Sequence, residues 1–220
     1  MKLLLTSAGI TNNAIAQALS ELAGKPLSEL SIIHIITAAN PEKDDKNWII
    51  NDLVNLQKQN FKFIDILDVN GVTREVWQER LSACDIISFE GGNEQYLAHV
   101  FEKIGMKEFI LSVLDTKVYM GTSAGSMVAG HFSPAANAVV YPEDTISSTP
   151  VDSLGLSDIV FIPHLNSQLF PHVRKDILKN IKTGAMLPIY ATDDATAITV
   201  VDTQIKIVGT GDFWTTSIKS

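Results

Sequence analysis

The chain is predicted to be an α/β protein built on a mostly parallel central sheet, and three observations carry that prediction. Strand-like and helix-like segments alternate from the first residue onward, the pattern of βαβ units. Ser31-Ile32-Ile33-His34-Ile35-Ile36 is apolar at nearly every position, as a strand covered on both faces must be. The run Lys117-Val118-Tyr119-Met120, then Gly121-Thr122-Ser123-Ala124-Gly125, then Ser126-Met127-Val128-Ala129 reads as strand, sharp turn and helix with a serine at the apex.

The elements follow in order. Leu3-Leu4-Leu5 is a buried strand, and Thr11 is placed to cap a helix whose Ile15, Ala18, Leu19 and Leu22 keep helical spacing until Gly24-Lys25-Pro26 ends it. After the second strand, Asn40-Pro41 opens a polar turn. Residues 48–56 read as a helix, Phe63-Ile64-Asp65-Ile66-Leu67 as a strand, and Thr73 as the cap of a helix carrying Val76, Trp77 and Leu81. Asp85-Ile86-Ile87-Ser88-Phe89 is the next strand and runs into the glycine turn Glu90-Gly91-Gly92-Asn93; helical segments follow at residues 96–100 and 109–114. Beyond the elbow, residues 132–158 carry Pro134, Pro142 and Pro150 among small polar residues and are expected to be loop. Ile159-Val160-Phe161-Ile162 is a strand ending in Pro163-His164, and residues 171–182 fit a helix with Val173, Ile177 and Ile181 on one face. Ile189-Tyr190-Ala191-Thr192 is a strand, and residues 197–201 and 205–208 form a hairpin over Asp202-Thr203-Gln204.

Composition narrows the function classes. A chain of 220 residues with 45% hydrophobic content suits a single domain spanning residues 1–220. A formal charge of -8 argues against a nucleic-acid surface, which needs clustered Lys and Arg. Cys84 is the only cysteine, which excludes an internal disulfide framework and multi-cysteine metal centres. The apolar run at the N-terminus is short for a signal peptide, and no stretch approaches membrane-spanning length; a cytoplasmic protein with no membrane partner is expected. The histidines lack the spacing of a metal motif, so no cofactor and no metal are expected.

Ligands of parallel α/β sheets gather at the carboxyl ends of the strands, and the reactive residues fall there. A turn that strains the serine backbone lifts its hydroxyl above the sheet edge, and glycines two positions either side permit close backbone approach. The following helix points its N-terminal amides at whatever Ser123 attacks. A serine nucleophile needs a base; His164 ends a buried strand, whereas His34 lies inside a strand, His99 and His172 fall on predicted helices and His131 follows the elbow helix, all read as structural. Asp194 and Asp193 are the candidates for the carboxylate that orients the imidazole. The amides of Gly92 and Ala124 are expected to form an oxyanion hole, with Gly91, Asn93, Glu94 and Asp193 binding or supporting.

Together Gly91-Gly92-Asn93, the Gly121 to Gly125 elbow, Pro163-His164 and Asp193-Asp194 resemble the peptidase E and cyanophycinase family of serine peptidases, over the whole chain. That resemblance implies a three-layer αβα fold like the class I glutamine amidotransferases, with serine in place of their cysteine and a C-terminal β-hairpin. It implies a dipeptidase-like serine peptidase acting through an acyl-enzyme on short peptides near an acidic residue. A monomer or homodimer is expected. Peptidase E carries an arginine and an aspartate after its elbow; the corresponding Ser133-Pro134-Ala135-Ala136-Asn137-Ala138 has neither, so strict preference for an N-terminal aspartate is not expected. The acid is accordingly placed at Asp194, with Glu143 and Asp144 as loop alternatives. Two other readings compete: an α/β-hydrolase-type esterase using Ser123, Asp152 and His164, and a non-catalytic relative that binds a small peptide or metabolite. A glutamine amidotransferase is disfavoured by Ser123 and by Asn166 where that family has a carboxylate.

Overall fold

The computed structural model describes residues 1–141, 152–181 and 187–216. Along the chain the elements are β1 (Lys2–Thr6), α1 (Asn13–Ala23), β2 (Ser31–Ile35), α2 (Asn47–Lys58), β3 (Phe63–Leu67), α3 (Arg74–Ala83), β4 (Ile86–Phe89), α4 (Glu94–Ile104), α5 (Met106–Val113) and β5 (Val118–Thr122). They continue with α6 (Ala124–Met127), α7 (Pro134–Val140), β6 (Val160–Ile162), α8 (Lys175–Leu178), β7 (Ile189–Thr192), β8 (Thr196–Val201), β9 (Gln204–Gly209) and β10 (Phe213–Thr215). A seven-stranded sheet has the order β3-β2-β4-β5-β1-β8-β9, parallel from β3 to β1 and antiparallel where β8 joins β1 and β9 joins β8.

Alternation along the strands builds the layers, because successive side chains leave a strand on opposite faces. Leu3, Leu5, Ile33, Ile35, Ile87, Phe89 and Tyr119 pack on one face with Trp77, Leu81, Leu97, Phe101 and Ile110 of α3, α4 and α5. Leu4, Ile32, Ile86, Val118 and Met120 pack on the other with Ile15, Leu19 and Leu22 of α1 and Leu56 of α2. A smaller sheet, β10-β7-β6, has its own core of Ala136, Val140, Val160, Ile162, Val173, Leu178 and Ile189. The chain crosses from the smaller sheet to the larger one between Thr192 and Thr196, through Asp193-Asp194.

Several local expectations are corrected. Asn12, not Thr11, caps α1, its Oδ1 accepting from the amides of Ala14 and Ile15. Thr73 occupies the cap position of α3 without a side-chain capping bond. Within the expected loop of residues 132–158 lies α7, started by Ser133 accepting from the amide of Ala136 with Pro134 in the first turn, where its missing N–H costs nothing. Pro142, Pro150, Glu143 and Asp144 lie outside the described residues. The helix expected over residues 171–182 shrinks to α8, because carbonyls it would use are engaged: Val173 C=O accepts from the Asn166 amide, and the Arg174 guanidinium donates to Phe170, Val173 and Ser167 carbonyls. Lys182 is outside the described residues. Gln204 belongs to β9 and not to the hairpin turn, and β10 was not anticipated.

The elbow glycines are demanded by backbone proximity. An added Cβ on Gly125 would lie 2.1 Å from the Phe89 carbonyl oxygen, and one on Gly121 would lie 2.6 Å from the Ser126 nitrogen. Backbone cannot yield as a flexible side chain can, so Gly125→Ala is expected to cost about 2–4 kcal/mol. That is a fall in Tm of roughly 5–15 °C for a chain of this size, readable by circular dichroism; an unchanged Tm would mean α6 does not press on β4.

Candidate active site

Ser123 sits between β5 and α6 at φ 48° and ψ -109°, a conformation that costs an L-residue on the order of 1–3 kcal/mol. Surrounding bonds hold it there. Its N–H donates to the Thr6 carbonyl at 2.9 Å, and its own carbonyl accepts from Ser126 and Met127 at 2.9 Å each. Ser126 Oγ donates to the Thr6 carbonyl and accepts from the Thr6 amide, so β1 and the elbow lock together.

His164 follows β6 and also has positive φ, 63°. Its Nε2 lies 3.0 Å from Ser123 Oγ, and its Nδ1 lies 2.8 Å from Asp194 Oδ1. With Asp194 ionised, Nδ1 carries the proton and Nε2 accepts from the serine hydroxyl. The structure therefore brings Ser123, His164 and Asp194 into one line. Among the two aspartates left open by the sequence, Asp193 serves another purpose: its carboxylate accepts from the amides of Ala195 and Asp212, fixing the crossover turn against β10. Asp152 is exposed and does not meet His164 Nδ1, whose partner is Asp194.

The Gly91-Gly92 turn faces the serine. An ideal Cβ on Gly91 would be 3.2 Å from Ser123 Cβ and 3.6 Å from the Trp48 ring. Gly92 has φ 129°, and a Cβ there would stand 2.3 Å from the Ala38 carbonyl oxygen. Asn93 steadies this turn as anticipated, its N–H donating to Ala38 C=O and its Oδ1 accepting from the Tyr96 amide to cap α4, whose first residue is Glu94. The amides of Gly92 and Ala124 have no acceptor among the described residues, which leaves both for a ligand.

Several supporting residues escaped sequence reasoning. Ser7, just beyond β1, accepts from the His164 amide and donates to the Thr192 carbonyl, joining the histidine loop to β7. Thr11 Oγ1 donates to the Asp194 carbonyl and Asn12 Nδ2 to that of Ala195, so the loop after β1 positions the aspartate as well. Polar residues directly after an apolar strand were the available signal. Phe170 stacks on the His164 ring at 4.5 Å and 7°, and nothing in its spacing marks it. Asp212 receives the Lys175 ammonium, which holds its carboxyl below the usual carboxylate range, and also accepts from Asn166 two residues beyond the histidine.

Cys84 is not poised as a second nucleophile. Burial pushes the Cys84 thiol up to about 11, so almost no thiolate exists near neutral pH. The three arginines have partners within the chain: Arg80 pairs with Asp65, Arg174 donates to the carbonyls of Ser167, Phe170 and Val173, and Arg74 lies over the Trp77 ring.

Comparison with known proteins adds the family context. Residues 3–208 match the model of peptidase family S51. An uncharacterized peptidase of Pasteurella multocida strain Pm70 is 27% identical over 183 residues, covering 81% of this chain and 84% of that protein. An uncharacterized peptidase of Listeria innocua serovar 6a is 25% identical over 144 residues, 65% of this chain and 68% of the relative. The crystal structure of a candidate peptidase E protein from Listeria monocytogenes EGD-e superposes with a TM-score of 0.78 at 19% identity, covering 96% of this chain and 98% of the other. A peptidase from an acI-B1 Actinobacterium gives 0.69 at 20% identity, with 96% and 88% covered. The mixed α/β fold with its mostly parallel seven-stranded sheet is thus shared with peptidases.

Proposed function

The chain belongs to peptidase family S51, and from that premise we propose that it hydrolyses short peptides as a dipeptidase or related exopeptidase through an acyl-enzyme on Ser123. The observation that carries the reading is the continuous Ser123, His164, Asp194 hydrogen-bond line. His164 Nε2 takes the hydroxyl proton as the serine oxygen attacks the scissile carbonyl. Asp194 holds Nδ1–H and stabilises the imidazolium. The amides of Gly92 and Ala124 receive the oxyanion, and the imidazolium then protonates the leaving amine. Water repeats the sequence to release the acyl group.

Substrate choice follows from what the arginines do. With all three engaged, a carboxylate side chain on the substrate has no guanidinium to meet, so hydrolysis is expected without strict dependence on an acidic residue. A dipeptide-library screen beside Ser123→Ala tests both points. Cleavage of several non-acidic dipeptides, absent in the variant, is expected. Ester turnover with no peptide turnover, or calorimetric peptide binding with no cleavage, would overturn the peptidase reading. The esterase alternative needs Asp152 on His164, a contact that Asp194 already occupies.

A further inference from the structure

Beside the Gly91 turn, three buried residues from separate elements converge. His34 of β2, Asp52 of α2 and Glu90 after β4 place one ligand-type atom each within 4.8 Å of the others, and all three residues are buried. We infer that this cluster is a binding site for a divalent transition cation, independent of the serine and its histidine.

Four features support it. First, Asp52 is 5% exposed, yet neither of its carboxylate oxygens accepts a hydrogen bond among the described residues. Burial, with Glu90 beside it, pushes this carboxyl well above the usual carboxylate range; a carboxyl group withdrawn from water without a partner is costly, and cation coordination is one of the ways it is satisfied. Second, the backbone makes room for this carboxyl group: Gly9 has φ 68°, and a Cβ there would fall 2.0 Å from Asp52 Oδ1. Third, His34 is oriented as a ligand. Its Nδ1 meets Ser88 Oγ at 3.0 Å, the outer contact that fixes the ring of a metal-bound histidine. Its Nε2 is hydrogen-bonded to Glu90 Oε2 at 2.8 Å, a bond the ion would replace, and lies 3.8 Å from Asp52 Oδ2. Separations of that size suit ligands sharing an ion at about 2.0–2.2 Å. Fourth, the donor types fit: two carboxyl groups and one imidazole, once their protons are released to an incoming metal, are a mixture that suits zinc, manganese or iron(II).

The sequence expectation of no metal rested on spacing along the chain. Residues 34, 52 and 90 are far apart there; the pairing of β2 with β4 sets His34 beside Ser88, and α2 packed on the sheet adds Asp52. The ion would also brace the turn facing the serine, because Glu90 Oε1 accepts the Gly91 amide at 2.6 Å.

The test uses chelator-stripped full-length protein. Zinc(II) titrated calorimetrically is expected to bind at one equivalent per chain and to raise Tm. Asp52→Asn and His34→Gln, each checked by circular dichroism, lose that equivalent. Ser123→Ala and His164→Ala retain it, which separates the site from the triad. Cobalt(II) needs no variant: visible d–d absorption with imidazole ligation is expected, displaced by zinc. Stripped wild-type protein that takes up neither ion, or Asp52→Asn that binds as tightly as wild type, would overturn the inference.

Discussion

Ser123→Ala is expected to lower peptide turnover by about 10⁶-fold while leaving the fold intact. The variant keeps the Cβ at φ 48° and every backbone bond of the elbow, so the strain is unchanged. What disappears is the hydroxyl and its bond to His164 Nε2. Stability should move by no more than about 1 kcal/mol, the worth of one hydrogen bond. Ser123→Gly separates strain from chemistry: glycine accepts positive φ freely, so it is expected to be equally inactive and more stable than wild type by about 1–2 kcal/mol. Thermal melts of both variants beside turnover assays read the two effects. Residual turnover above a thousandth of wild type in Ser123→Ala would move the nucleophile elsewhere.

Asp194→Asn is the second large effect, with kcat falling by about 10²–10⁴ and KM nearly unchanged. Thr11 and Asn12 hold the backbone of this turn, so the substituted side chain stays beside the ring. An amide nitrogen facing Nδ1 drives the imidazole proton to Nε2, where it blocks acceptance from the serine. Asp194 is half exposed, so water shares the stabilisation of the imidazolium, which places the loss toward the lower end of that range. Asp193→Asn acts differently: its carboxylate binds the amides of Ala195 and Asp212, so it loosens the crossover turn and lowers Tm more than it alters the chemistry. A kcat loss larger for Asp193→Asn than for Asp194→Asn would exchange their roles.

What the sequence disclosed depended on the range of the signal. β3 was read to the residue, because an apolar run between turns needs no tertiary knowledge. Ser123 and His164 were legible because strand ends in a parallel sheet are chemical positions whatever the remainder does. Asp194 is the sequence's choice of acid with Asp193 still open beside it; adjacent residues after a strand point apart, and only the fold says which meets the ring. Periodicity misled at residues 171–182, where the spacing of Val173, Ile177 and Ile181 was sound but Arg174 and Asn166 took the carbonyls a helix needs. Ser133-Pro134 was a legible helix start, obscured by the prolines that follow it in the chain. Ser7, Phe170 and the grouping of His34, Asp52 and Glu90 are products of long-range contact, which no local pattern encodes.

The most direct measurement is intact-protein mass spectrometry after treatment with a fluorophosphonate, followed by peptide mapping. One adduct per chain on Ser123 is predicted, absent after denaturation, absent from Ser123→Ala and strongly slowed in His164→Ala. Labelling on another residue, or labelling of Ser123 at an unchanged rate without the imidazole, would contradict the proposal that His164 activates this serine.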